Sequence, residues 1–513
     1  MTHRPFAPQG RAYQRLAAKD PGDKGCLPAS RPYVLAATIL ASAMAFIDST
    51  VVNIAAPVIQ AGFDASIRDL QWVLNSYLLM LGALMLVGGG LGDRIGRRRV
   101  FVIGIVVFAI ASVACAIAPT VLFLIVARVA QGIGAALLVP QSLALISANY
   151  PKEIRGRAIG TWAAASAVTT ALGPPLGGLL IDLLSWRMAF WINLPIAAVA
   201  IWLALKHIPE SRDEHAVGSV DWQGALLATL GFGAVTYGLI AIGEPGGLPL
   251  LEFGLPVVGI ILLAAFIAVE GRVRNPVMPL ELFRSRVFTG GNMVTVLLYG
   301  ALSGSLFLLP FDLLVRRELT TAEAGLTILP FGLIIGFMSR WMGALADRHG
   351  PRPFLIVGPL LVAVGCGVLA LGLDSFWLGV MVPAIILAVG MGVVVSPLTT
   401  AVMNAAPQEK SGAASGVNNA ASRLAGVIAV AVIGAVASLV YRAEAPADAP
   451  RFGLLPEADH PLRAAAESAF LSGYAVGMAA VAVGALLAAI AAFWTLPKGG
   501  AGTERVATEP ASP

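Results

Sequence analysis

The chain has 513 residues, of which 58% are hydrophobic and only 12% charged, at a mean hydropathy of +0.82. A soluble protein carries about 25% charged residues, so this balance excludes an ordinary soluble enzyme or binding domain and describes a membrane protein. The net charge of +5 reads as a topology signal rather than a nucleic-acid footprint, because no basic stripe with interleaved aromatics appears in a soluble segment.

Residues 1–32 carry six Lys or Arg, several Pro and Gly and no apolar core; they read as a disordered cytoplasmic tail and not as a cleavable signal peptide. A helical span needs roughly 20 apolar residues, because backbone polar groups in hydrocarbon must be satisfied within the segment. Runs of that kind place spans near 33–56, 72–90, 100–118, 121–146, 158–180, 189–206, 222–243, 254–270, 288–311, 324–346, 353–373, 377–402, 414–440 and 469–495. That makes fourteen, followed by a short tail over 497–513. Long continuous runs exclude a β-barrel, whose signature is alternation over segments of about ten residues. With an even count both termini share a side. Twenty-four Lys and Arg fall on that side and seven on the other, so the termini are expected in the cytoplasm of what its Ala, Gly and Arg usage marks as a bacterial cell, at the plasma membrane.

The first span interrupts its oil with Asp48, in MAFIDSTVVN. A charge there costs about 2.5–3.5 kcal/mol even on the mildest insertion scale, which makes a lone intramembrane acid a functional-site hypothesis by default. Glu270 and Asp312 fall at span ends, where snorkelling or water can serve them. Asp48 lies nine residues from Pro57, roughly 13 Å along the helix, and Arg128 lies about 10 Å into span four from the same side. The two share a level, and Arg128, Gln131, Gly132 and Ala135 share a face. Asp48 is therefore expected to carry a proton that Arg128 tunes, with a cationic cargo favouring the ionised carboxylate; a fixed structural ion pair is the other reading.

After span two, GGLGDRIGRRR begins at Gly89, and GALADRHGPRP begins at Gly343, 254 residues on; the two agree at Gly, Leu, Asp, Arg, Gly and Arg. The pair marks a repeated unit. Eight spans separate the two loops where two six-span halves alone would give six, so two spans are inserted: residues 33–206 form one bundle, 207–287 the extra pair with its linkers, and 288–496 the second bundle. Gly89, Asp93, Arg94, Gly96, Arg97, Asp347 and Arg348 are candidates for a latch that closes the cytoplasmic side, through a carboxylate paired with arginines and glycines that let the chain turn tightly.

In span five, ALGPPLGG brings Gly173, Pro174, Gly177 and Gly178 together, a composition that loses backbone hydrogen bonds and bends a helix. In span thirteen, Ser415, Asn419 and Arg423 are spaced by four, and no mid-span acid of the second half is available to Arg423. It contacts either cargo across a water-filled cavity or backbone carbonyls. Asn53, Gln131, Trp162, Asn419 and Arg423 are the candidate cargo-binding residues.

The loop repeat, RVAQGIGAALLVPQ from Arg128 and GPPLGG from Gly173 together resemble the major facilitator superfamily. IDSTVVNIAAP, WRMAFWINLP from Trp186, DWQG from Asp221 and GAASGVNNAASRLAG from Gly412 make the chain similar, from about residue 33 to 496, to the fourteen-span drug:proton antiporters of that superfamily. The resemblance implies an all-α membrane protein of the major facilitator fold, two six-helix bundles plus two inserted helices, exporting small amphipathic drugs, antibiotics or biocides against protons by alternating access. It also implies that the span-five motif is a hinge and a seal against proton leak.

No GxxxxGK[ST], HExxH or GxSxG pattern occurs, so neither ATP-driven transport within the chain nor hydrolysis is expected. Cys26, Cys115 and Cys366 have no metal spacing, and the proton is the only expected coupling species, with no cofactor. The expected partners are a small-molecule cargo and the bilayer, with no nucleic acid. The protein is expected to work as a monomer, and an accessory periplasmic partner stays open, as do the alternatives of a proton-driven importer and a transporter-like sensor.

Overall fold

The computed structural model describes residues 28–212, 221–242, 253–273, 276, 278–407, 410–457 and 459–497. Most of the two expected tails and the loop EPGGLPLLE lie outside the described residues, as do the side chains of Arg340 and Asp347. Among the described residues all regular structure is helical. The long helices are α1 (Arg31–Phe63), α2 (Ile67–Ile95), α3 (Arg97–Ala116), α4 (Val121–Asn149), α5 (Lys152–Leu183), α6 (Asn193–His207), α7 (Trp222–Ala241), α8 (Leu255–Glu270), α9 (Arg286–Phe311), α10 (Thr321–His349), α11 (Arg352–Ala370), α12 (Val382–Asn404), α13 (Ser411–Glu444) and α14 (Arg463–Thr495).

Twelve of these are long and apolar enough to cross a membrane, and α2 makes a thirteenth if its two pieces, bent by 51° between Met85 and Val87, count as one span. The apolar helix α8 is shorter, at 16 residues. Ile110, Leu122, Val126, Leu183, Trp202, Ile261 and Trp494 are exposed on the outer faces, and lipid is the solvent that such a belt requires.

The sequence repeat extends into backbone geometry. Gly96 and Gly350, 254 apart, both take positive φ, +118° and +78°, where α2 gives way to α3 and α10 to α11. Asp64 and Glu318, the same distance apart, are the two non-glycine residues with positive φ among the described residues, at 47° and 55°. Ser66 with Asp69 and Thr320 with Glu323 form capping boxes that start α2 and α10, again 254 apart. Each half thus turns at a left-handed acidic residue, starts its second helix with a capping box and leaves it through a glycine of positive φ, at equivalent positions.

Two seams join the first six helices to the last six. In one, α5 lies on α10: a side chain at Gly178 would collide with the Thr321 carbonyl, one at Gly325 with the Pro174 carbonyl and one at Gly332 with Ala171. In the other, α2 lies on α13, where Gln71 Nε2 donates to the carbonyls of Val430 (2.7 Å) and Ala431 (3.0 Å). The inserted helix α7 leans over this second seam alone: Tyr237 accepts from Arg68 Nη2 at 2.8 Å, and Gly233 lets Leu79 approach.

The halves are also fastened at the end opposite the repeated loops. Gln60 Nε2 donates to the Phe452 carbonyl (3.0 Å) and Arg451 Nη1 to the Asp64 carbonyl (2.9 Å). Asp182, at the end of α5, accepts from the backbone N–H groups of Thr321 (3.0 Å) and Ala322 (2.7 Å) and from the Thr321 hydroxyl, so a carboxylate of one half caps a helix of the other. Toward the loop-motif end, a side chain at Gly160 or Gly336 would meet nothing within 4 Å, and Phe337 and Trp341 are exposed. The molecule is shut at one end and parted at the other.

Candidate functional site

Asp48 and Arg128, brought to one level by their depth in α1 and α4, meet as an ion pair with side-chain exposures of 0% and 1%. Gln131 Nε2 donates to Asp48 Oδ1 at 2.8 Å and Asn193 Nδ2 to the same oxygen at 3.4 Å. Arg128 also donates Nη1–H to Gln131 Oε1 (2.8 Å) and Nε–H to the Val73 carbonyl (3.1 Å), and its guanidinium carbon lies 4.2 Å from the centre of the Tyr77 ring. Ser112 accepts from Asn193 Nδ2 at 2.9 Å and donates to the Phe190 carbonyl at 2.9 Å. Five helices, α1 to α4 and α6, contribute to one closed network.

The arrangement has a direct electrostatic consequence. Removing either charge leaves the other buried without its counter-ion, at a cost of about 3–5 kcal/mol, whereas the neutral pair is tolerated. The other partners of Arg128 are the Val73 carbonyl and the Tyr77 ring, both of α2, and Gln131 Oε1 of its own helix.

A separate cavity of about 400 Å³ lies between the halves, walled by Phe46, Thr50 and Asn53 of α1, Thr170 and Pro174 of α5, Tyr299 and Leu306 of α9, Phe331 and Ile335 of α10, and Met391 of α12. Asn53 is part of this wall, with Nδ2 turned to the Ser49 carbonyl at 2.9 Å. Asp48, Arg128, Gln131, Trp162, Asn419 and Arg423 are not. The structure places Gln131 in the carboxylate network and Asp48 behind Phe46 on the same helix, so a cargo in the cavity does not touch the acid. Trp162 donates its indole N–H to Ser42 at 3.1 Å, and Asn419 turns its amide to the Ser415 carbonyl at 2.9 Å. Arg423 stacks over Phe46, its guanidinium carbon 5.8 Å from the ring centre.

The loop motif is held within the first half. Asp93 accepts from Arg97 Nε at 2.8 Å, and Gly92 and Gly89 lie against α4, where Gln141 Nε2 donates to the carbonyls of Gly88 (2.7 Å) and Gly89 (3.3 Å). Sequence reasoning missed Glu210. Its carboxylate fills the space a side chain at Gly96 would take and accepts the Arg98 N–H at 3.0 Å, closing the N-terminus of α3. Arg94 lies in the last turn of α2; Arg348 is exposed in the last turn of α10, which also holds the backbone of Asp347.

In ALGPPLGG, α5 is continuous through Pro174 and Pro175. Gly173 and Gly177 bring it against Thr50 and Val51 of α1, and Gly178 against α10, so the glycines build a three-helix contact. Asp312 and Glu270 also differ from expectation. Asp312 is only 1% exposed and accepts from Arg316 Nε (2.5 Å) and Arg317 Nε (2.8 Å), while Glu270, 3% exposed, accepts the Met278 N–H at 2.8 Å. Both are buried, and the chain itself supplies donors to each.

Among the described residues no group of three or more His, Cys, Asp or Glu side chains is placed to hold a metal ion. The family model of the Major Facilitator Superfamily matches residues 38–430. The chain is 35% identical over 403 residues to the multidrug resistance protein Stp of Mycobacterium tuberculosis, covering 78% of this chain and 75% of that protein. It is 35% identical over 474 residues to the puromycin resistance protein pur8 of Streptomyces alboniger, covering 90% of each, and 32% identical over 412 residues to the tetracenomycin C resistance and export protein of Streptomyces glaucescens, covering 79% of this chain and 76% of that one. In fold it is similar to a bacterial homolog of the human lysosomal transporter Spinster, solved in an inward-facing, unoccupied conformation, with a TM-score of 0.67, 18% identity and coverage of 91% of this chain and 97% of that one. The helical fold, the family match over most of the chain and these relatives agree: the chain belongs to the Major Facilitator Superfamily and is a membrane transporter, not an enzyme.

Proposed function

We propose that the protein exports small amphipathic compounds, antibiotics and other drugs among them, across a bacterial plasma membrane in exchange for protons. The relatives named for drug resistance support the export, and the enclosed Asp48–Arg128 network is the observation that carries the coupling. In this reading both termini and the repeated loops face the cytoplasm, α2 and α8 complete a fourteen-span arrangement, and the parted end is the loading side. Cargo enters the central cavity from within. Protonation of Asp48, timed to the outward-open state, and its loss to the cytoplasm alternate the hold of Arg128 on α2, and the two halves rock in step.

Flux in proteoliposomes tests this. An imposed pH gradient should drive a fluorescent drug against its concentration gradient, and reversing the pH gradient should reverse the flux. Asp48→Asn should abolish gradient-driven transport while the protein keeps its place in the membrane. Normal driven export by that variant would refute the assignment, and cargo moving in the same direction as the proton would identify an importer.

A further inference from the structure

Every other deeply placed arginine with a described side chain has its acid: Arg128 has Asp48, and Arg316 and Arg317 share Asp312. Arg423 does not. It is the thirteenth residue of α13, roughly 20 Å from the start of the helix at 1.5 Å per residue. Among the described residues no hydrogen bond and no ion pair holds its guanidinium, so the alternative in which backbone carbonyls absorb its donors is not what the structure contains. Its stem passes over Gly82, where α13 meets α2, and its head lies on Phe46. Five N–H donors and a full positive charge are thus held deep in the protein beside one aromatic ring.

That ring is a wall of the central cavity. The other residues lining the cavity are uncharged: aliphatic and aromatic groups with the polar atoms of Thr50, Asn53, Ser166, Thr170 and Tyr299. Asp48 and Arg423 both stand outside the lining, but Asp48 is already matched by Arg128, whereas Arg423 lies on the Phe46 ring that forms part of the wall. Among the described residues, the one unmatched cation beside the cavity is Arg423. Where little water screens it, such a charge disfavours a cationic cargo and favours a negative one, and a guanidinium fork suits carboxylate and phenolate oxygens.

We infer that the central cavity takes lipophilic organic anions, with an apolar body against Phe46, Phe331 and Met391 and an acidic oxygen directed to Arg423. This rests on the export reading only in taking the cavity as the cargo site. It departs from the expectation, attached to an intramembrane acid, that a cation is carried. Cargo and proton act on separate charges, the cargo on Arg423 and the proton on Asp48, and they communicate through α1, which carries both Phe46 and Asp48.

The test uses three probes that share one fluorescent body: pyrenebutyrate, its neutral amide and its trimethylammonium analogue. Binding to the purified full chain in detergent, without any gradient, is read by fluorescence anisotropy. The carboxylate should bind at least tenfold tighter than the cation, with the amide between them. Arg423→Gln should erase the preference for the carboxylate over the amide while leaving the affinity for the amide within twofold, and Arg423→Lys should restore part of it. Equal binding of all three, a preference for the cation, absence of carboxylate binding, or a preference that survives Arg423→Gln would overturn the inference. Should Arg423→Gln fail to fold, the ranking of the probes on the unaltered protein decides. Failure of the export reading looks different: the ranking holds, but no probe moves in proteoliposomes under a pH gradient of either sign.

Discussion

At the scale of single residues, the Asp48–Arg128 pair separates stability from coupling. Arg128→Met leaves a buried carboxylate facing Gln131 and Asn193 alone and should cost about 3–5 kcal/mol. Adding Asp48→Asn removes the stranded charge, so the double variant should recover most of that loss in thermal unfolding while remaining inactive in driven transport. A double variant as unstable as the single one would show that the pair matters by shape and not by charge. The level of the two residues was legible in the sequence because helical rise converts position into depth. Their companions were not: Asn193 and Ser112 are ordinary polar residues in apolar runs, and only the packing of α6 on α1 and of α3 on α6 reveals that Asn193 reaches the carboxylate and that Ser112 holds the Asn193 amide. Asp312 illustrates the opposite error. A position at a span end says nothing of burial, and the neighbouring Arg316 and Arg317 were the available signal.

Outside the membrane, Glu281 accepts a hydrogen bond from the Lys410 ammonium, whose donated proton and charge hold its carboxyl below the ordinary 4.5. The pair links the short helix Leu280–Arg284, ahead of α9, to the residue that precedes α13. Because the folded-state value is the lower one, the pair's contribution is fully present above pH 4.5 and is lost as the pH falls through the folded value. Lys410→Ala should return the Glu281 titration toward 4.5, as followed by carboxyl NMR; an unmoved titration would assign the shift to other groups.

At the scale of elements, the seal between α5 and α10 is built from absent side chains and one borrowed cap. Gly178 and Gly325 let the helices touch through backbone, and Asp182 caps α10. Gly178→Leu would drive a side chain into the Thr321 carbonyl and should favour the state in which this end is open. A cysteine introduced at Thr170, in the cavity wall, should then label severalfold faster with a membrane-impermeant reagent applied outside; an unchanged rate would show that other contacts alone keep that end shut. The glycines of this segment were visible in the sequence, but their use was not. Glycine and proline in one stretch read as a bend, and what only the packing shows is that α1 and α10 occupy the space that the missing side chains leave.

At the scale of the whole molecule, the helical architecture was legible because continuous apolar runs admit few solutions in a bilayer. The offset of 254 residues, first seen in one loop motif, recurs in two left-handed residues, two capping boxes and two glycines, so the repeat is a rule of backbone turning as well as of sequence. The charged site does not follow it. Leu302 stands 254 residues after Asp48 and forms part of the cavity wall. The two halves share a frame and divide the labour, with the enclosed ion pair in the first and the unmatched arginine in the second.

The brace formed by α7 has a mechanical corollary. Tyr237 and Gly233 bind this helix to α2 beside α13, while among the described residues the α5–α10 face carries no such splint. A motion that tilts one half against the other must then swing about the stiffened flank, and its amplitude accumulates across the unbraced one. Access from either compartment widens on the side remote from the inserted helices, which gives a nominally twofold machine a single preferred doorway.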